Sequence, residues 1–412
     1  MEYKIKTKNE LETFALQNWN AINKYLNDWQ LEVPTPIYSS VDIRESTSKF
    51  AAIDHNIYPA GFNNICSLDL EMSSKVFKKA IEKLHPTAKN IGIIPESHTK
   101  NTFYLDHLVA LRQTLILAGY NVYFTVFDET LFEENINELP LVSNSGEKLL
   151  FYKTKISDGH FVCTGASEVK IDLAILNNDQ SLPLKVPWKE IKIPVHPSPE
   201  MGWYRRQKNI YFKHYENVCR TFGEYFSIRP ELLFASYKPV DGIDFSNKEG
   251  FEKLASEIDL LKKELPDQSK IFVKPSQGTY GMGISVVGSG EEILAMNRKE
   301  RNKMDIGKNH IKFTSVLLQE GVETIITYDG APAEITIYLV GGQSVGGFMR
   351  TNGERGTLSN LNSKGMVFKK FCFTEIEQNA DHVQQEVIYS IIARLANLAS
   401  GHEMKELLTT TP

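Results

Sequence analysis

Apolar positions recur along this chain with two periods, and the switches between them outline its elements. Near the start, Leu11, Phe14, Ala15, Asn18, Trp19 and Ile22 fall three to four residues apart, which predicts helix within residues 1–30. Residues 34–64, PTPIYSSVDIRESTSKFAAIDHNIYPAGFNN, break that pattern. They are dense in Pro, Asn, Asp and Ser and show little period, so a long loop is expected; long loops within a compact chain are often functional. NIGII (90–94) is a short apolar run of strand type. Leu105, Leu108, Val109, Leu111, Leu115 and Ile116 then form a helical stripe over 103–118, closed by Gly119, and VYFTVF (122–127) is a second strand. A helix between two short apolar strands predicts a parallel sheet. KLLFYK (148–153), HFVCTG (160–165) and IDLAIL (171–176) add further strands.

Residues 183–199, PLKVPWKEIKIPVHPSP, hold five prolines, a density that resists both helix and central strand, so the main boundary is set there. Beyond it, helix is predicted over the aromatic-rich 203–226 and the amphipathic 249–264 (Phe251, Leu254, Ile258, Leu261). Strands are predicted at 271–274, 284–287, 314–319, 333–340 and 345–350. A last helix over 380–399 aligns Val383, Val387, Ile391, Leu395 and Leu398. The expected division is an N-terminal α/β unit at 1–190, a lobe with a glycine-rich loop at 191–313, and a C-terminal lobe at 314–412.

Composition excludes more than it assigns. A net charge of −5 supplies no basic field for nucleic acid, and no run of 18 apolar residues is present to span a membrane. The N-terminus is charged and lacks an apolar core of leader type, so a cytoplasmic protein is expected. Cys66, Cys163, Cys219 and Cys372 are far apart and form no CxxC pair, which predicts reduced thiols packed as small core residues. The histidines form no zinc-type cluster.

The sharpest chemical signal is IFVKPSQGTYGMG (271–283). Glycines let backbone N–H groups crowd an anion, since no Cβ obstructs them. Gly278 and Gly283 have P-loop spacing, but Ile284 stands where that motif needs lysine. A dinucleotide fingerprint fails too, because the order is GxxGxG and a strand follows. Lys274 lies on the incoming strand, where its ammonium can meet phosphate oxygens while the loop covers them. Downstream come LLQEGV (317–322), a strand whose edge suits an adenine; Glu334 inside AEITIYLV; Arg350 ending GGFMR; and the amides Asn360 and Asn362 in NLN.

This ordered series resembles the ATP-grasp superfamily, and within it the proteobacterial glutamate–cysteine ligases of ATP-grasp type. SVDIRESTSKFAAIDHNIYPAGFNN, ILNND with GWYRRQKNIYFKHY, IFVKPSQGTYGMGISVV, LLQEGV, VGGFMR and NLNSKGM carry the resemblance across roughly residues 36–370. It implies an α/β (α+β overall) chain: a parallel, Rossmann-like N-terminal domain followed by two ATP-clamping lobes. The implied reaction joins L-glutamate, through its γ-carboxylate, to L-cysteine by way of an acyl phosphate, with ATP and Mg²⁺ as cofactors. Lys274, Gln277, Gly278, Thr279, Tyr280, Gly281, Gly283, Gln319, Glu320 and Val322 would hold ATP, and Arg350 would stabilise the acyl phosphate beside Lys274. Glu334, Asn360 and Asn362 would hold metal. Ser359 precedes Asn360 where many relatives of this fold carry a Glu nearby, which leaves a further ligand open between Glu320 and Glu354. Arg44, Lys49, Asp54, Asn56, Asn63, Asn64, Arg205 and Arg206, with Lys208, are the candidates for binding the amino acids. Another γ-glutamyl or peptide ligase, or a nucleotide-binding regulatory protein without turnover, remains as an alternative. Whether the chain forms a homo-oligomer is left open.

Overall fold

The computed structural model describes residues 2–96, 101–245, 247–278, 283–305, 313–373 and 383–409. Helices α1 (Lys8–Gln17) and α2 (Trp19–Glu32) open the chain, α1 started by a capping box between Thr7 and Glu10. Strands β1 (Tyr38–Glu45) and β2 (Phe50–Asn56) follow, then α3 (Ser67–Leu84), β3 (Asn90–Pro95), α4 (Thr102–Leu117) and β4 (Asn121–Val126). Gly119, at φ +99°, turns α4 into β4 as its sequence position predicts. β5 (Glu138–Val142), β6 (Lys148–Ser157), β7 (His160–Thr164), β8 (Glu168–Lys170), β9 (Leu173–Asn177) and β10 (Val195–His196) complete the first half. The second half runs α5 (Lys208–Phe226), β11 (Tyr237–Asp241), α6 (Lys248–Lys262), β12 (Ile271–Pro275), β13 (Ser285–Val287), α7 (Gly290–Leu294) and α8 (Arg298–Asp305). It ends with β14 (Ser315–Glu320), β15 (Thr327–Tyr328), β16 (Ala331–Val340), β17 (Gln343–Thr351), β18 (Val367–Phe371) and α9 (Val383–Thr409).

Among the described residues three sheets form, in a mixed α/β architecture. One has the order β10-β9-β3-β4-β6-β7-β8, and its β10, β9, β3, β4 and β6 are parallel, as the βαβ pattern predicts. A second, β11-β14-β12-β13, is antiparallel and backed by α6. The third, β18-β17-β16-β1-β2, draws strands from both ends of the chain. Here the structure corrects the expected loop at 34–64: most of it is the hairpin β1–β2. All eight positions of β1 are buried; Ser40, Asp42 and Arg44 alternate with Val41 and Ile43, and the charged residues among them are tolerated inside because they are paired. β1 and β2, which the sequence groups with residues 1–190, hydrogen-bond into the sheet formed by residues 327–371. α9 lies with α1 and α5 in the core behind that sheet; its buried run from Val387 to Ala399 is apolar nearly all round.

The expectation of four reduced thiols is also corrected. Cys66, the N-cap of α3, and Cys372, just after β18, form a disulfide with Cα atoms 5.5 Å apart. Cys163 and Cys219 are free and buried as expected. The 306-residue separation of the bonded pair hides it from any spacing rule. Among the described residues, no helix is long and apolar enough to cross a membrane.

Candidate active site

Alternation along β12 sets the floor of the site. Ile271 and Val273 point into the core shared with α6, so Phe272 and Lys274 face the other way, towards β2. Lys274 is buried, and its Nζ donates to the Ile53 carbonyl at 2.8 Å. Burial pushes its pKa down to about 8, against the pull of Asp54. Gln319 on β14 sits directly opposite Phe272, and its buried Nε2 has no hydrogen-bond partner among the described residues. Gln277 and Gly278 follow β12 directly, and Gly278 and Gly283 have φ of +130° and +73°, conformations that L side chains rarely adopt. Thr279, Tyr280 and Gly281 lie outside the described residues.

Across from this floor, β1 and β2 place Asp42 directly opposite Asp54, so both carboxylates project from one face of the hairpin. Asn56, two residues beyond Asp54, shares that face. Asp54 Oδ1 accepts from Lys208 Nζ at 2.6 Å and from the His55 N–H at 3.1 Å; its other oxygen has no partner among the described residues, and a third of the side chain is exposed. Burial alone would push its carboxyl up, but the ammoniums of Lys208 and Lys274 prevail and hold it well below the usual carboxylate range. Asp42 has the opposite balance: burial, with help from Glu334 and Asp54, pushes its carboxyl up despite Arg350.

Arg350 on β17 stands opposite Glu334 on β16. Its Nη1 donates to Glu334 Oε1 at 2.6 Å and to Asp42 Oδ2 at 3.0 Å, while its Nε has no partner among the described residues. The second Glu334 oxygen accepts from Arg44 Nε at 2.9 Å. Arg44 is itself buried and also donates to the carbonyls of Val322, Thr357 and Ser359. Both oxygens of Glu334 are therefore engaged by guanidinium groups, and Arg44 is a clamp between β1, the 319–322 edge and the 357–359 loop. Asn360 Oδ1 accepts from the Asn362 N–H at 3.0 Å, closing a local turn, and the buried Asn352 donates to Leu361 and Ser363 to hold that turn in place.

The remaining cations divide by their partners. Arg206 is fully buried, with Nε 3.0 Å from each oxygen of Glu403 on α9 and Nη1 on the His55 carbonyl. Arg205 pairs with Glu200 and with the Leu407 carbonyl. Lys49 pairs with Glu320, whose same oxygen accepts from the Ser236 N–H. Val322 is buried at the end of the same edge. Asn63 and Asn64 lie in a short 3₁₀ turn (Phe62–Asn64), and Asn63 Oδ1 is buried without a partner among the described residues. The structure thus gathers Lys274, Lys208, Asp54, Asn56, Asp42, Glu334, Arg350 and Arg44 into one charged centre. It sets Arg205 and Arg206 against acids of their own. Sequence reasoning missed Asp42, Glu403 and Asn352. The only available signal for Asp42 was the carboxylate spacing in VDIRESTSKFAAID, which becomes meaningful once those residues are seen as a hairpin.

For a hard divalent cation, the oxygens of Asp42, Asp54 and Asn56 are of the right type and lie on one face, with one Asp54 oxygen open. The cluster Cys66, Asp69 and Cys372 is unsuited to one: the sulfurs are bonded to each other and Asp69 Oδ2 accepts from the Phe373 N–H.

Opposed carboxylates and several buried cations meet in one charged centre, and comparison with known proteins makes the chain a ligase. A sequence model of the glutamate-cysteine ligase family matches residues 12–404. A crystal structure from Methylobacillus flagellatus KT, described as a gamma-glutamylcysteine synthetase, is 30% identical with a TM-score of 0.84, covering 96% of each chain. D-alanyl-alanine synthetase A of Vibrio cholerae is more distant, at 12% identity and TM-score 0.36 over 73% of this chain and 81% of that one. D-alanine-D-alanine ligase of Helicobacter pylori has 10% identity and TM-score 0.28 over 79% and 99%. No curated protein matches. The chain belongs to the glutamate-cysteine ligase family.

Proposed function

We propose that this ligase makes γ-glutamylcysteine by an ATP-grasp mechanism, with ATP held between the β11–β14 sheet and the sheet containing β1 and β2. The observation that carries this reading is the Asp42–Asp54 pair, set directly across from each other and flanked by Lys274 and Lys208 on one side and Arg350 on the other. A carboxylate does not react with an amine until an oxygen is made a leaving group. The γ-carboxylate oxygen of glutamate attacks the terminal phosphorus, the bond to the bridging oxygen breaks, and ADP departs. The cysteine amine nitrogen then attacks the acyl carbon, and phosphate leaves with the original carboxylate oxygen.

Lys274 and Lys208 neutralise the phosphates from beneath. Gln319, Glu320 and Val322 border the base. Asp42, Asp54 and Asn56, in place of the expected Glu334, Asn360 and Asn362, would hold Mg²⁺, which when bound draws charge from the phosphate oxygens. Glu334 holds Arg350 in place through its carboxylate, and the unpartnered Nε of Arg350 is the donor offered to the acyl phosphate and the tetrahedral adduct. Asn63, whose amide oxygen lacks a partner, is the candidate for a substrate ammonium.

The test is isotopic. With glutamate labelled by ¹⁸O in the γ-carboxylate, one labelled oxygen appears in phosphate for each γ-glutamylcysteine formed, and release requires both amino acids. Unlabelled phosphate would exclude the acyl phosphate. Equal turnover across a panel of other amines would favour a broader γ-glutamyl ligase.

A further inference from the structure

We propose that in the nucleotide-free enzyme Arg350 occupies the cation site at Asp42, and that loading of the metal–nucleotide complex swings this guanidinium off Asp42 and onto the reacting phosphoryl group. The inference rests on the assignment of Asp42 and Asp54 to the metal.

Both Asp42 oxygens are covered. Oδ2 accepts from Arg350 Nη1 at 3.0 Å, and Oδ1 accepts from Thr336 at 2.7 Å and from Arg350 Nη2 at 3.4 Å. A divalent cation reaching Asp42 meets a guanidinium already on the same carboxylate, and the two positive charges repel. The other contacts of Arg350 determine where it goes. Glu334 is fixed, because its second oxygen is held by Arg44, which three backbone carbonyls lock in turn. Arg350 has no such lock: its Nε is unpartnered, and only Asp42 and Glu334 accept from it among the described residues. Rotation about the Glu334 contact releases Asp42 and keeps one ion pair. A metal without nucleotide leaves the freed guanidinium facing no new anion. A triphosphate supplies one. Metal and nucleotide are thus expected to bind cooperatively, and the arginine that stabilises the transition state becomes available only when both are present. By contrast, Asp54 already has an open oxygen, so it serves as the first point of metal contact.

Mn²⁺ is the probe, with the unbound ion counted by electron paramagnetic resonance on full-length protein. Without nucleotide, Arg350→Met tightens Mn²⁺ binding by about tenfold or more, since a positive charge beside the site has gone. Arg350→Lys, which keeps a cation near Asp42, stays within about twofold of wild type. With ADP present, wild type and Arg350→Met converge. Arg350→Gln replaces the methionine variant if that one fails to fold. Equal nucleotide-free affinity in wild type and the uncharged variants, with Asp54→Asn still abolishing binding, overturns the exchange and leaves the metal assignment standing. Unchanged Mn²⁺–ADP binding in both Asp42→Asn and Asp54→Asn overturns the assignment, and the exchange with it.

Discussion

Replacing Glu403 with glutamine tests whether Arg206 serves the fold or the substrate. The pair is fully buried, each Glu403 oxygen lies 3.0 Å from Arg206 Nε, and the guanidinium is stacked 4.9 Å from the Trp203 ring and 5.2 Å from Tyr211. Glu403→Gln keeps the volume and removes the charge, stranding a guanidinium with no other carboxylate in hydrogen-bond contact among the described residues. Breaking a buried pair from one side costs about 3–5 kcal/mol. Against a total stability of about 5–15 kcal/mol, that is a large fraction. Urea denaturation, followed by tryptophan fluorescence because Trp203 sits against the guanidinium, gives the loss directly. The double variant Arg206→Met/Glu403→Leu should recover most of it, since an apolar pair strands no charge. A loss under about 1 kcal/mol for Glu403→Gln would refute the argument. So would a rise in glutamate KM for Arg206→Met at unchanged stability, because Arg206 would then be facing substrate.

Lys274 gives a pH signature. Its ammonium is charged below about pH 8 and neutral above it, so ATP affinity falls as pH rises through that value. Because a triphosphate restores the charge, binding takes up a proton near pH 8–9, visible as calorimetric heats that differ between buffers and vanish in Lys274→Ala. The same depressed pKa makes folding stability rise between about pH 8 and the ordinary lysine value of about 10.4, where the unfolded chain binds the extra proton. Arg44→Lys is expected to cost about 2–4 kcal/mol and to lower kcat, since an ammonium cannot span the Glu334 carboxylate and three carbonyls; an effect on glutamate KM alone would make Arg44 a substrate ligand. Cys66 and Cys372 should resist alkylation in the native protein until a reductant is added, and reduction should destabilise it by about 2–4 kcal/mol in a thermal melt. Free thiols in freshly isolated protein, with no change on oxidation, would show that the link is not formed.

The parts of this fold that the sequence exposes are local. The stripe of α4, its glycine stop and the flanking strands β3 and β4 are each fixed by residues within one element, and they form as their periods predict. Lys274 is legible for the same reason: its strand, its position and the adjoining glycines are contiguous. The charged centre is not local. Arg44 and Arg206 look alike in a sequence, each a cation in a polar stretch, and only the burial of Glu334 and Glu403 beside them separates a clamp from a ligand. β1 is obscured although Ser40, Val41, Asp42, Ile43 and Arg44 alternate, because the alternation is short and the Pro, Ser, Asp and Asn residues around it read as loop. The Asp42–Asp54 pairing depends on register, and register depends on where the hairpin turns.

Strands β1 and β2 leave the ribosome early, yet their sheet partner β16 comes much later; the Thr336 hydroxyl that bonds Asp42 is 294 residues further on. At a synthesis rate of about 5–20 residues per second, the hairpin waits roughly 15–60 seconds with its outer edge unsatisfied. During that interval it presents an aggregation-prone template unless a chaperone or another early segment shields it. Catalytic competence is also withheld from any nascent chain that stops short of β17, because the half-built centre holds Asp42 without the arginine that pairs with it.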